Sequence, residues 1–130
     1  MRKLFIFVGL CWLLLACSPS PEVTLIHSLD TVASILRNNM DHPDTLIEQL
    51  NAYADANQET WMRMNREFQS MSIVDYTRII DHKEDDMRAL MLTIMNLDLE
   101  FQDQIKHDAV RMAAYMSAIK KVGILYSDGS

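Results

Sequence analysis

The sequence predicts an all-α protein, an antiparallel helical bundle of three to four helices, on three counts. Apolar residues recur at three- and four-residue spacing along most of the chain, the signature of amphipathic helices. Only three glycines and three prolines occur in 130 residues, and two of each lie near the ends, so little interrupts these stripes. The links between stripes are about three residues at 40–42 and one or two at 71–72, and such short connections make sequential helices antiparallel.

The chain opens with Arg2 and Lys3, followed by an uncharged, mainly apolar run from Leu4 to Ala16. A positive start followed by an apolar run of this length has the form of a signal peptide. A spanning helix needs about 20 apolar residues, so the run is too short to remain as a stable transmembrane segment. It ends in Leu14-Leu15-Ala16-Cys17, which resembles the lipobox of bacterial lipoproteins: a leucine three positions before the cysteine and a small residue directly before it. The resemblance covers residues 1–18. It implies cleavage after Ala16, a diacylglyceryl thioether on Cys17 and acylation of the new amino terminus, with Leu14, Leu15 and Ala16 serving the processing. Ser18, by resemblance to enterobacterial sorting, points to the outer membrane facing the periplasm. Attachment through two or more acyl chains is stable, since each buried methylene contributes roughly 0.8 kcal/mol.

The expected division of the chain is a signal peptide over 1–16, acylated Cys17 and a tether over 17–22, a bundle over 23–122 and a flexible tail over 123–130. The full chain carries twelve basic and eighteen acidic residues, a net charge of −6, and loss of Arg2 and Lys3 leaves −8. Such an acidic domain is a poor match for nucleic acid or anionic lipid surfaces. Its basic residues are interleaved with acids and form no stripe. Of the two cysteines, Cys11 leaves with the signal peptide and Cys17 is alkylated, so no disulfide remains and stability must come from packing.

Ser18-Pro19-Ser20-Pro21-Glu22 favours extended polyproline geometry and spans ~15 Å at ~3.1 Å per residue. The first helix is expected from about Glu22 to Asn39, with Leu25/Ile26, Leu29, Val32/Ala33, Leu36 and Met40 on one face. Asp41-His42-Pro43-Asp44 then marks a helix start, with proline in the first turn and a carboxylate at the positive end of the dipole. The second helix is expected from Pro43 to about Met71 with the seam Leu46, Leu50, Tyr53, Asn57, Trp61, Met64, Phe68 and Met71. Asn57 either fixes register from within the seam or lies at its edge; the edge is the expectation.

Ser72 with Asp75 three residues on resembles a capping box, with aspartate in place of the usual glutamate, and starts a helix at Ile73. Ile73, Tyr76 and Ile79/Ile80 form its apolar face. The polar run Asp81-His82-Lys83-Glu84-Asp85-Asp86 breaks the stripe. The absence of glycine and proline there favours continuity and the lost stripe favours a bend; a bend is the expectation. The stripe resumes at Met87 and runs through Leu90, Ile94, Leu97, Phe101, Ile105, Ala109, Met112, Met116 and Ile119. Lys120-Lys121-Val122-Gly123-Ile124 matches a Schellman-type stop, with Gly123 at the left-handed position.

Methionine is the compositional anomaly, with ten in the chain. Met87, Met91 and Met95 follow one another at i, i+4, i+8. The first expectation is that they fill irregular gaps in the core, the second that they line an adaptable partner groove. Thioethers also suit Cu(I), so a periplasmic copper-binding or copper-sensing bundle built on Met87, Met91 and Met95 is the alternative function. His27, His42, His82 and His107 show no ligand spacing: Glu-x-x-His, His-Glu-x-x-His and Cys-x-x-Cys-His are all absent. No Gly-x-Ser-x-Gly elbow or glycine-rich phosphate loop occurs. The carboxylates of 84–86 and 98–103 lack the spacing of a calcium loop. The expectation is a non-enzymatic envelope accessory protein with no cofactor beyond the lipid on Cys17, held at a membrane and engaging a protein partner.

Overall fold

A computed structural model of the chain describes residues 19–126. The lipobox residues Leu14, Leu15, Ala16 and Cys17 lie outside the described residues. Four helices follow: α1 Pro21–Asn38, α2 Pro43–Ser70, α3 Ile73–Ile105 and α4 Ala109–Val122, closed by a 3-10 turn over Gly123–Tyr126. No strand occurs among the described residues, so the all-α bundle stands.

Local chemistry explains most boundaries. Pro21 and Pro43 occupy first-turn positions, where the missing N–H costs nothing. Pro21 and Glu22, expected at the end of a tether, belong instead to α1. Ser72 caps α3, its Oγ accepting from the Asp75 backbone N–H at 3.1 Å, as the capping pattern predicts. Asp75 also pairs with Arg78 at 3.5 Å.

Two expectations about residues 73–122 are overturned. The bend expected at 81–86 is absent, and α3 runs unbroken through it for 33 residues. The polar run simply faces solvent, with Glu84 and Arg88 pairing one turn apart. The break comes at Lys106-His107-Asp108, where a continuous helix was expected. There Asp108 turns extended and its carboxylate accepts from the Arg111 backbone N–H at 2.9 Å, starting α4. Aspartate is a strong helix cap, and that cap outweighs a propensity that neither glycine nor proline opposes. Asp108→Ala is therefore expected to lower stability by about 1 kcal/mol. Urea unfolding should show this as a lower midpoint at unchanged slope.

The tail expectation also changes. Gly123 is right-handed, with φ −55° and ψ −18°, rather than left-handed. The chain carries on into the 3-10 turn, buries Leu125 and docks on α2 through Asn65 Nδ2, which donates to the Ile124 carbonyl at 2.9 Å.

The packed pairs are α1 with α2, α2 with α4, α4 with α3 and α3 with α1. Trp61 reaches Ser28 while Gln49 reaches Asn39, so α1 and α2 are antiparallel. Arg111 bonds Asp44 at 3.0 Å and Lys121 bonds Asp55 at 3.1 Å, so α2 and α4 run in the same direction. The hydrogen bond and charge of Asp44 push the Arg111 guanidinium further above its already high pKa. Tyr115 meets Asp98 and Phe101, which sets α4 antiparallel to α3. The alternating up-and-down order therefore holds. The consecutive pair α2 and α3 stands on a diagonal, touching at its shared corner through Phe68 and Tyr76, whose ring centroids are 6.0 Å apart.

The core is built from Leu29, Val32 and Leu36 of α1, Leu46, Leu50 and Trp61 of α2, Phe101 of α3 and Tyr115 of α4, all essentially inaccessible to solvent. Asn57 is half-buried and donates to the Tyr53 carbonyl of its own helix at 2.9 Å, which fits the seam edge.

Candidate functional site

The site arises from a length mismatch. At 1.5 Å per residue, the 33 residues of α3 span ~50 Å and the 14 of α4 only ~21 Å. α4 therefore covers only the carboxyl-terminal part of α3, and the 3-10 turn then leads the chain away toward α2. What remains along α3 is an apolar groove with α1 as its floor.

Two adjoining hollows make up this groove. The first, of about 580 Å³, lies between α3 and α4 and is lined by Met87, Met91, Ile94 and Met95 with Ile119 and Val122 opposite. The second, of about 450 Å³, lies between α3 and the end of α2, with Leu25, Leu29, Phe68 and Leu125 around it. Met87 and Met91 line both hollows, which therefore adjoin along α3. Glu84, Arg88 and Asp98 border the first.

The expectation that methionine fills the core does not hold for this stripe. Met91 is 46 % exposed, Met95 50 %, and Met87 is half-buried. The geometry of the helix explains it. Successive steps of four residues advance about 40° around a helix of 3.6 residues per turn. The series 87, 91, 95 therefore drifts off the face that meets α1. The buried line on α3 is Leu90, Ile94, Leu97, Phe101 and Ile105, with steps of four, three, four and four, which stays on that face. The structure brings all three methionines predicted as a site into one groove, but at its open wall.

Below the groove a part-buried polar contact fixes the wall. Tyr115 Oη donates to Asp98 Oδ1 at 2.5 Å, and Gln102 Nε2 donates to both oxygens of the same carboxylate at 3.0 and 3.1 Å. Tyr115 was missed by the sequence reading, which carried one periodicity through 106–108 and put Met116 inward. The cap at Asp108 resets the phase, so Tyr115, Ala118 and Val122 are buried and Met116 is exposed.

All four histidines are exposed. Among the described residues no group of three or more His, Cys, Asp or Glu side chains could hold a metal ion. No helix among them is long and apolar enough to cross a membrane. Comparison with known proteins finds no matching family model, no matching curated protein and no matching solved structure.

Proposed function

We propose that this chain is a membrane-anchored bacterial lipoprotein whose helical bundle presents the α3 groove to a protein partner in the cell envelope, without catalysis. The observation that carries the partner role is the exposure of Met91 and Met95 along two adjoining apolar hollows. Contiguous exposed apolar surface marks interaction sites, and methionine, unbranched and polarisable, adapts to irregular partner faces. A groove along a helix suits an amphipathic helix laid into it. Anchoring rests on the lipobox ending in Cys17.

The test is a photocrosslinking amino acid at Leu92, which also lines the groove, used in intact envelopes. One dominant crosslinked protein is expected. It should disappear with the paired change Met91→Asp and Met95→Asp, which leaves the thermal midpoint nearly unchanged because both side chains are half-exposed, and should weaken in Cys17→Ser. A crosslink that survives both carboxylates would remove the groove from the function. A copper-binding reading draws on the same observation that Met87, Met91 and Met95 share one groove. It requires that Cu(I) raise the melting temperature and that Met91→Leu abolish the rise.

A further inference from the structure

We infer that the α2–α3 corner is a second membrane contact, in which Ile73 and Val74 enter the lipid surface beside the acylated Cys17. The inference rests on the lipoprotein reading and goes beyond it, because the anchor by itself leaves the bundle free to tilt.

The corner is an apolar tip. Ile73 is 85 % exposed and Val74 67 %, at the very start of α3, and Tyr76 beside them is exposed as well. Ile73 belongs to the apolar face expected of this helix and Val74 does not, yet both are left largely uncovered by the bundle, while Tyr76 packs partly on Phe68.

Their position matches the anchor. Pro19, Pro21 and Thr24 border one shallow hollow with Thr60, Arg63, Met64 and Glu67, so the start of α1 lies beside the final turns of α2. Val23, Ile26, His27 and Asp30 of α1 face Lys83, Asp86, Ala89 and Leu90 of α3, so α1 and α3 advance together, with Val23 near the level of Lys83. Ile73 then lies roughly 13 Å beyond the start of α1, at 1.5 Å per residue. The four steps of chain from Cys17 to Pro21 reach at most about 14 Å. The anchor can therefore reach the level of the tip, so the two can touch one plane.

Tyr76, exposed beside Ile73 and Val74, suits a membrane interface, where tyrosine is enriched. With the tip in the lipid, the stretch from Met87 to Met95 is held about 20–33 Å above it, counted along α3.

The experiment uses the full-length lipidated protein in vesicles of phosphatidylethanolamine and phosphatidylglycerol. Cys17 is alkylated, so Ile73→Cys supplies the one free thiol for a polarity-sensitive fluorophore. Val110→Cys, at the exposed start of α4 on the opposite end of the bundle, is the control. The expected result is a blue-shifted label at position 73, quenched by brominated acyl chains, with the label at 110 unshifted and unquenched. If both labels report water while the mass of the Cys17 peptide shows lipid, the second contact is overturned and the anchor stands. If that peptide carries no lipid, both fall. A label at 73 shielded in native envelopes but wet in pure lipid would mean that a protein covers the tip, and would also overturn the inference.

Discussion

Trp61→Ala is expected to destabilise the bundle by about 3–5 kcal/mol, a large part of the roughly 5–15 kcal/mol that holds a domain folded. Two effects combine. The indole is completely buried near the middle of α2 and meets Tyr53 edge-on with centroids 5.5 Å apart, so truncation leaves a cavity in rigidly packed surroundings. Its Nε1 also donates to Ser28 Oγ at 2.9 Å, and Ser28 is itself buried in α1. Removing the indole orphans that hydroxyl, at about 1–3 kcal/mol. Trp61→Phe separates the two effects, keeping most of the volume while losing the hydrogen bond. Adding Ser28→Ala to Trp61→Phe should recover part of the loss, because removing both partners of a buried bond costs less than removing one. Urea unfolding followed by far-ultraviolet dichroism measures all three variants. A loss below about 1 kcal/mol for Trp61→Ala would mean that the core collapses around the gap.

The same tryptophan shows why much of this fold could be read from the sequence. On α1 and α2 each side chain of the apolar stripe faces one packing surface, so Leu29, Leu36, Leu46, Leu50 and Trp61 are buried where periodicity places them. The reading fails where a single side-chain bond outweighs periodicity. Nothing in the composition of Lys106-His107-Asp108 demands a break, yet the Asp108 cap makes one. That break carries Met116 outward and Tyr115 inward. At Ile73 the failure is of another kind. Periodicity tells which side of a helix is apolar, but burial depends on whether a neighbour is long enough to cover it. For the same reason the groove could not be located in advance. Met87, Met91 and Met95 could be named from their spacing, whereas their exposure combines the drift of that spacing off the face that meets α1 with where the shorter α4 ends, and the latter depends on the unforeseen cap. The residues that carry the proposed anchoring are the reverse case: Cys17 and its lipobox are read from the sequence alone.

Tyr115→Ala is expected to cost about 3–5 kcal/mol, as for other large aromatic truncations in a core, and its effect should extend to partner capture. Tyr115 is fully buried, and its ring meets Phe101 of α3 with centroids 4.6 Å apart and planes at 63°. Its hydroxyl joins the Asp98 carboxylate at 2.5 Å. A hydrogen bond to a charged acceptor contributes roughly 1.5–3 kcal/mol, so Tyr115→Phe should lose about that much and keep the ring contact. These two interactions tie α4 to α3 at the point where Asp98 borders the groove and where Ile119 and Val122 of α4 form the wall opposite Met91 and Met95. Loosening the tie lets that wall move while the methionines stay intact. Tyr115→Phe should therefore weaken the crosslink formed from Leu92 at a temperature where the helices remain folded, whereas Asp108→Ala, a change of comparable or smaller cost at the far end of α4, should not. If the two variants reduce capture in proportion to their stability losses, Tyr115 acts on the fold alone. If Tyr115→Phe reduces it further, the position of α4 sets the shape of the groove that the partner recognises.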